Sequence, residues 1–460
     1  MKSLATSLVV GTNISQDRFN LRLNVDSKVS ERFRVGANVA FTSNINREVQ
    51  EGRFNQGPIL GALIYMPIFK AYNEDGTLAK NEAASLSSAY GFQSIENPLA
   101  LASETIISRR GQRGTYNANA SYDILKGLTF KANLGMQTYF EKYEFYKPTS
   151  LSSGANPPYS DQAKNAAYAT AQTYDRRDKL GEFTLAYLKD FNKHSINALA
   201  GYTVQATDTD VLSVTSNGFE NDNIPEITGK GADPTNFQMN GGTGKTQTRL
   251  LSYLARVGYN YDSRYYLTAS FRRDGSSRFG PLNRYGNFPS LSAAWNISNE
   301  DFYNDWLGEG SSLKLRASWG LSGNNNIGDY NYAQVVSTSQ PVVFGNGTVE
   351  SGVYPLNMRD QSLGWESTSQ FNVGVDTEFL NGRLSVIANA YLSRSFNLLL
   401  NRPISAISGA TSVLTNMPDS KVENKGFDIQ IDAAVVSKSD FNLNISGNIS
   451  LNRNKVLDLG

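Results

Sequence analysis

The chain has 460 residues, of which 40% are hydrophobic, a formal net charge of +1, one histidine and no cysteine. The near-zero net charge gives no electrostatic basis for binding nucleic acid, and the lack of cysteine excludes disulfides, thiol catalysis and cysteine metal sites. No segment approaches the roughly 18 consecutive apolar residues of a transmembrane helix. We therefore expect no catalytic residue, no metal site and no cofactor, and we interpret His194 as an ordinary turn residue.

Apolar and polar residues alternate along most of the chain, beginning near residue 17. Phe19, Leu21, Leu23 and Val25 share one face of an extended strand, and polar residues lie between them. The same period of two recurs and predicts about fourteen strands. They lie near 17–27, 31–45, 112–124, 127–142, 180–191, 194–206, 247–261, 264–274, 286–298, 311–321, 366–379, 382–396, 422–436 and 440–454. The pattern predicts an all-β, antiparallel fold.

The connections between these strands alternate strictly between short and long, although the stretch 299–310, in a short position, is somewhat longer. Asn381-Gly382 is one of the short ones and is a preferred hairpin turn. The long ones are 46–111, 143–179, 207–246, 275–285, 322–365 and 397–421. In an antiparallel meander every second connection lies at the same rim, so the short turns and the long loops separate. This asymmetry is typical of a transmembrane β-barrel with short periplasmic turns and long extracellular loops.

Two short motifs mimic ligand sites. Gly241 to Thr246 (GGTGKT) resembles a phosphate-binding loop, but Met239 stands where that motif needs its first glycine, and an alternating strand follows instead of a helix. We interpret the segment as a flexible extracellular loop. Asn73 to Thr77 lacks the alternating carboxylates of a calcium loop, so we interpret it as a turn.

The segment from Ser263 to Gly280 (SRYYLTASFRRDGSSRFG), followed by Asn283 to Ser290 (NRYGNFPS) and Trp295, closely resembles the barrel signature of the SusC/RagA family of TonB-linked outer-membrane transporters. Three other segments resemble the same family in the same order. They are Asp17 to Ser30, Asn97-Pro98-Leu99-Ala100 with Tyr122 to Phe130, and Leu398 to Gly426. The resemblance runs through essentially the whole chain.

This resemblance implies several properties. The family imports glycan oligomers or peptides across the outer membrane of Gram-negative, Bacteroidetes-like bacteria, with a SusD-like surface lipoprotein as a lid and energy from the TonB complex. Its barrels resemble those with about 22 strands. We therefore expect residues 1–460 to be a partial TonB-dependent receptor barrel that lacks the plug domain, the TonB box, the signal peptide and the C-terminal strands. Outer-membrane lipid would surround it.

Within the signature, four arginines and one aspartate crowd one loop region. We interpret these residues as structural, because charged loop clusters more often order a surface than bind a ligand. Asp274 is expected to pair with a neighbouring arginine, and the glycines to provide turns. The family-motif residues are Arg272, Arg273, Asp274, Gly275, Ser276, Ser277, Arg278, Phe279, Gly280, Arg284, Tyr285, Gly286, Phe288 and Pro289.

The functional hypothesis is an energy-dependent nutrient importer that performs no covalent chemistry. Its ligand would contact lumen-side polar residues of the strands and aromatic residues in loops 46–111, 322–365 and 397–421. Tyr330, Tyr332 and Tyr354 could stack on sugar rings. The main alternative is a self-contained passive pore. A soluble adhesin or glycosidase is a third class, but no paired-carboxylate arrangement indicates a hydrolase.

Overall fold

We describe the fold from a computed structural model of the chain. The structure describes residues 14–50, 57–80, 95–153, 156–227, 238–303, 305, 310–334, 336–345, 347–355 and 357–460. Among these residues, no helix has both the length and the apolar character needed to cross a membrane.

Fourteen strands form one antiparallel sheet, and two more form a separate hairpin. The sheet strands are β1 (Ser15–Lys28), β2 (Phe33–Arg47), β3 (Ile106–Leu125), β4 (Leu128–Lys147), β5 (Tyr168–Phe191), β6 (His194–Asn217), β7 (Gln238–Tyr261), β8 (Tyr265–Ser276), β9 (Tyr285–Asn296), β10 (Ser312–Asn324), β13 (Glu366–Phe379), β14 (Leu384–Pro403), β15 (Ser412–Ser437) and β16 (Asn442–Asp458). The hairpin strands are β11 (Val336–Val343) and β12 (Val349–Pro355). Each predicted strand coincides with one strand of the sheet, which confirms the predicted fold class.

Sheet order follows chain order from β1 to β10 and then from β13 to β16. Neighbours in the sheet are therefore joined by single connections, and β11 and β12 are an insertion in the loop between β10 and β13. Within the part of the chain that is described, β1 and β16 each have one sheet neighbour. The sheet is thus an open wall with two edges.

The two faces of the sheet differ in polarity. On one face, called the apolar face, large side chains such as Phe19, Leu134, Leu267 and Leu291 are exposed. Cross-strand registers keep these residues aligned, as when Leu267 pairs with Ala293 and Ala269 with Leu291. Strands whose apolar residues alternate with polar ones and form an exposed apolar face are suited to contact with lipid hydrocarbon.

The opposite face, called the polar face, carries hydrogen-bonded side chains that link adjacent strands. Asn117 Nδ2 donates to Asn133 Oδ1 (2.6 Å), and Asn133 Nδ2 donates to Glu182 Oε2 (3.0 Å). Arg316 Nε donates to Asp376 Oδ2 at 2.7 Å. These bonds satisfy polar groups that would otherwise be costly to hold within the depth of a membrane.

The connections segregate as predicted, with one exception: the β9–β10 connection, residues 297–311, lies at the same rim as the short turns but is longer. The rim that carries the turns after β1, β3, β5, β7, β13 and β15, here the short-turn rim, has connections of only a few residues. One of them depends on Gly127, whose φ is +86° and where an added Cβ would lie 2.2 Å from the carbonyl oxygen of Leu188. Only glycine fits that position without a backbone shift.

At the opposite rim, here the long-loop rim, the described parts of the connections contain three short helices, α1 (Pro58–Ile64), α2 (Pro98–Glu104) and α3 (Asp161–Ala166). Ala100 and Leu101 of α2 pack with Leu151 and Leu78 into a small apolar core. Asn97 caps α2 by accepting a hydrogen bond from the Leu99 backbone N–H at 3.0 Å. These loops therefore have folded cores of their own.

Several strands extend further toward the long-loop rim than predicted. β5 begins at Tyr168 rather than near residue 180, and β6 ends at Asn217 rather than near residue 206. The prediction of a loop at 241–246 was also wrong, because those residues lie inside β7 and pair with 209–214 of β6. Backbone pairing continues there although apolar alternation has stopped. The interpretation of Asn73 to Thr77 as a turn is confirmed, since the Asn73 N–H donates to the Thr77 carbonyl at 2.8 Å.

Candidate functional site

The family-motif residues lie on β8, on β9 and on the connection between them, at the long-loop rim. Arg272 and Asp274 project from the polar face of β8. Arg272 Nε donates to both carboxylate oxygens of Asp274 (2.7 and 2.8 Å), and its Nη2 donates to Ser252 Oγ (3.1 Å). Asp274 is buried. The carboxylate thus pairs with a neighbouring arginine, and the pair ties β8 to β7.

Arg273 lies on the opposite side of β8 from this pair. Its guanidinium carbon is 5.0 Å from the centre of the Tyr285 ring, which is within the range of a cation–π contact. Tyr285 begins β9 and pairs with Gly275 in the register. Arg272 and Arg273 therefore lie on opposite faces of the sheet and make different contacts.

A second ion pair fixes the connection to a distant loop. Arg278 Nε donates to Asp329 Oδ1 (3.1 Å), which also accepts a hydrogen bond from Thr248 Oγ1 (2.7 Å). Ser276 Oγ accepts from Asn325 Nδ2 (3.2 Å), and the Ser277 N–H donates to the carbonyl of Arg249 (2.9 Å). The connection is held from β7 on one side and from residues 325–329 on the other.

An aromatic cluster completes the attachment. Phe279 is fully buried, and its ring centre is 5.1 Å from that of Trp365. Phe288 packs edge-on against Trp365 at 5.3 Å, and Trp365 Nε1 donates to the carbonyl of Arg284 (3.0 Å). At Gly280 an added Cβ would lie 2.5 Å from the carbonyl oxygen of Gln361, so the two loops approach backbone to backbone.

These contacts join residues 274–288 to residues 325–329 and 357–365 into one unit, called the clasp. Gly286 also belongs to it, because an added Cβ there would overlap the Phe288 ring. Pro289 lies opposite Phe271 in the register, on the apolar face. Most polar groups of the motif are thus used in contacts within the chain.

The aromatic residues that the sequence suggested for sugar stacking are dispersed. Tyr330 is 40% exposed and Tyr332 is half-buried, both in the loop after β10. The side chain of Tyr354 lies outside the described residues. His194 lies at the short-turn rim, where its ring stacks on Phe191 and Nδ1 is 2.7 Å from the Tyr259 hydroxyl. His194 therefore lies at a turn, as predicted.

A different aromatic cluster was missed. At the outer ends of β3, β4 and β5 the polar face contains a cleft of about 600 Å³ lined by Arg109, Tyr143, Phe145 and Tyr168, among others. The signal was in the sequence, because Tyr143 and Phe145 continue the polar-face period of two of Tyr139 past the predicted strand end at 142. The aromatic residues of the cleft lie on β4 and β5, outside the three loops in which aromatic ligand contacts were expected.

Among the described residues, no group of three or more histidine, aspartate or glutamate side chains is arranged to hold a metal ion. The carboxylates of the clasp are instead bonded to arginine, threonine and serine groups. The arrangement supports binding and positioning rather than covalent chemistry.

Comparison with known proteins identifies the family. The family model described as "TonB dependent receptor-like, beta-barrel" matches residues 65–458. TonB-dependent receptor P3 of Formosa agariphila is 30% identical over 459 residues, which cover 98% of this chain and 43% of that protein. TonB-dependent receptor SusC of Bacteroides thetaiotaomicron is 36% identical over 217 residues, which cover 46% of this chain and 21% of SusC.

The solved structure of the RagAB peptide transporter matches 97% of this chain and 47% of the solved chain, with a TM-score of 0.80 and 25% identity. The chain thus spans less than half the length of TonB-dependent receptor P3 and of the matched chain in the RagAB structure. Receptors of this kind are outer-membrane proteins and are not enzymes. The chain belongs to the TonB-dependent receptor β-barrel family, with SusC- and RagA-type proteins among its relatives.

Proposed function

We propose that this chain is part of the barrel wall of an importer that carries oligosaccharides or peptides across the outer membrane with energy from TonB. The observation that carries the proposal is the sheet itself, with an exposed apolar face toward lipid and a hydrogen-bonded polar face toward the lumen. The likeness to the RagAB peptide transporter over 97% of the chain supports it. A SusD-like surface lipoprotein is the proposed partner at the long-loop rim.

The alternative of a passive pore made by these strands alone is less well supported. β1 and β16 are edges in the described part of the sheet, and unpaired backbone groups are costly in hydrocarbon. We propose that further strands complete the wall, as in a barrel of about 22 strands. Relatives more than twice as long as this chain provide room for such strands and for a plug.

We also propose that the family-motif residues hold the clasp and do not contact the ligand. Their polar groups are bonded to partners within the chain, and Phe279 is fully buried. A rigid clasp would fix the loops on which a surface lipoprotein could dock.

The experiment compares uptake by cells that express the full receptor, with and without a functional TonB. Loss of oligosaccharide or peptide uptake when TonB is deleted supports the importer. Uptake that persists without TonB, together with ion conductance by the purified chain, would favour the pore. Capture of the receptor from mild detergent, followed by mass spectrometry, tests whether a surface lipoprotein accompanies it.

A further inference from the structure

The cleft at the outer ends of β3, β4 and β5 lies beyond the apolar band of the wall. On the apolar face of β4, Leu134 and Met136 give way to Lys142 and Glu144, whose Nζ and Oε1 atoms are 2.5 Å apart. Charged groups on the lipid-facing side mark the end of the hydrocarbon region. Tyr143 and Phe145, on the polar face of the same strand, therefore face the lumen at the level of the extracellular vestibule.

The cleft presents aromatic rings in a fixed arrangement. Phe145 and Tyr168 stack with ring centres 4.8 Å apart and an interplanar angle of 22°. The guanidinium carbon of Arg109 lies 4.7 Å from the centre of the Tyr143 ring. Phe145 is buried, whereas Tyr143 and Tyr168 are half-buried. The two tyrosines thus retain surface that a ligand in the cleft can contact.

The arrangement repeats one step closer to the membrane. Arg113 lies over the Tyr139 ring at 5.2 Å, and Tyr139 packs edge-on against Tyr174 at 5.9 Å. Arginine–tyrosine contacts therefore occur at two successive levels of the same wall. Together they line a path that runs from the vestibule into the lumen.

The charged groups around the cleft are planar, and they already form ion pairs with one another. Arg109 forms an ion pair with Glu141 and lies 3.4 Å from a carboxylate oxygen of Glu48. Gln50 also lines the cleft, together with Tyr168. Burial raises the pKa of the Tyr143 and Tyr168 hydroxyls, so both remain protonated at neutral pH. One guanidinium against two carboxylates leaves no free positive charge among these groups.

We propose that this cleft is a binding subsite for neutral oligosaccharides, an inference that rests on the proposed importer function. Flat tyrosine faces suit the C–H faces of sugar rings, and amide, carboxylate and guanidinium groups suit their hydroxyls. Among the described residues that line the cleft, Arg109 is the cation, and two carboxylates engage it, so it is not free to pair with a peptide C-terminus or an anionic saccharide.

The test uses the full receptor, purified from its native outer membrane in mild detergent. Calorimetry measures binding of maltohexaose, cellohexaose, xylohexaose and mannohexaose, with hexagalacturonate and hexaalanine as the anionic and peptide probes. We expect one of the four neutral probes to bind and the last two not to bind. Tyr143→Ala is expected to weaken that binding about tenfold through the lost ring contact, whereas Tyr143→Phe keeps the ring and most of the affinity.

Phe140→Ala is the matched control, because Phe140 lies on the apolar face of the same strand and is expected to leave binding unchanged. Heat-dependent gel migration checks that each variant forms its barrel. Three results would overturn the subsite: no binding of any neutral probe, tighter binding of hexaalanine or hexagalacturonate, or neutral binding that Tyr143→Ala does not change.

Uptake separates this inference from the proposed function. TonB-dependent uptake that Tyr143→Ala leaves unchanged would remove the subsite and retain the importer. Uptake that does not depend on TonB would remove the importer itself.

Discussion

Two regions of the wall differ in their structure at the long-loop rim. β8 and β9 have only 12 residues each, and their connection is fixed by the clasp, with Phe279 buried and its ion pairs internal. β5 and β6 have 24 residues each and extend beyond the apolar band beside an open aromatic cleft. The first region uses its aromatic and charged groups for rigidity, and the second leaves such groups accessible to the lumen.

Residue type alone therefore does not identify a ligand site in this barrel. Arginine beside an aromatic ring occurs in both regions, as Arg273 over Tyr285 and as Arg109 over Tyr143. What separates the two is the face of the sheet, because Tyr285 is 44% exposed on the apolar face and Tyr143 lines the cleft on the polar face.

Phe279→Ala is expected to open the clasp. Removing a fully buried aromatic side chain costs about 3–5 kcal/mol, here in the local free energy of opening. Proteolysis of the 277–284 connection in intact cells should accelerate accordingly. Leu282→Ala is the control in the same connection, because Leu282 is 72% exposed and makes little buried contact. Equal proteolysis rates for the two variants would contradict the clasp.

Leu291→Arg is expected to impair barrel assembly, because an arginine near the middle of the apolar face costs about 2–4 kcal/mol in a bilayer. Ser292→Arg is the matched control, since Ser292 is the next residue of β9 and lies on the polar face. The measurement is the amount of heat-modifiable receptor in the outer membrane. A larger loss for Ser292→Arg would reverse the assignment of the two faces.

Arg278→Ala is expected to loosen the attachment of residues 325–329. The change removes one hydrogen-bond donor to the Asp329 carboxylate, and Thr248 remains as the other donor. We expect the loss to lower the local stability by about 1–2 kcal/mol. Hydrogen exchange at the backbone amides of 325–329 should become faster. Arg284→Ala serves as the control, because the clasp uses the backbone carbonyl of Arg284 and its side chain is exposed. Unchanged exchange in Arg278→Ala would refute this role.

A smaller effect concerns Asp360, in the loop before β13. Burial acts to raise the pKa of its carboxyl, but hydrogen bonds from Ser362 and Thr415 outweigh it and leave the pKa below the ordinary 3.8. A carboxyl whose pKa is lowered by folding stabilises the folded state at pH values above its pKa in the unfolded chain. This stabilisation is lost as the pH falls through its pKa in the folded chain. The protection factor for hydrogen exchange at 360–365, which is the intrinsic exchange rate at each pH divided by the measured rate, should therefore be constant from neutral pH to about 4 and decrease below it.

Asp360→Asn is the control for that measurement. It removes the titrating group, so the acid-dependent decrease in the protection factor at 360–365 should disappear. A decrease of the same size in the variant would assign the effect to another group.

The sequence predicted the sheet better than the rim. All fourteen strands were found because lipid on one side and the lumen on the other enforce a period of two. Beyond the apolar band that constraint ends, so the outer parts of β5, β6 and β7 do not show the alternation of apolar and polar residues that predicts a strand. Residues 241–246 were interpreted as a loop for this reason, and the β11–β12 hairpin was not predicted. Backbone pairing between neighbours continued without an alternating side-chain pattern.

The candidate site shows the same division. The pairing of Asp274 with an adjacent arginine was readable because both residues lie in one short motif. Contacts of Arg278 with Asp329 and of Phe279 with Trp365 join residues 51 and 86 positions apart, and one sequence does not reveal such pairs. The cleft combines residues from β3, β4 and β5 with Glu48, so it also required the register of the folded sheet.

The orientation of the wall underlies every proposal above, and cysteine labelling tests it most directly. The chain has no cysteine of its own, so single cysteines can be placed at Leu282, in the clasp connection, and at Ser439, in a turn of the short-turn rim. A membrane-impermeant maleimide applied to intact cells should label Leu282→Cys and should reach Ser439→Cys only after the outer membrane is permeabilised. Labelling of Ser439→Cys in intact cells, with Leu282→Cys protected, would contradict the account.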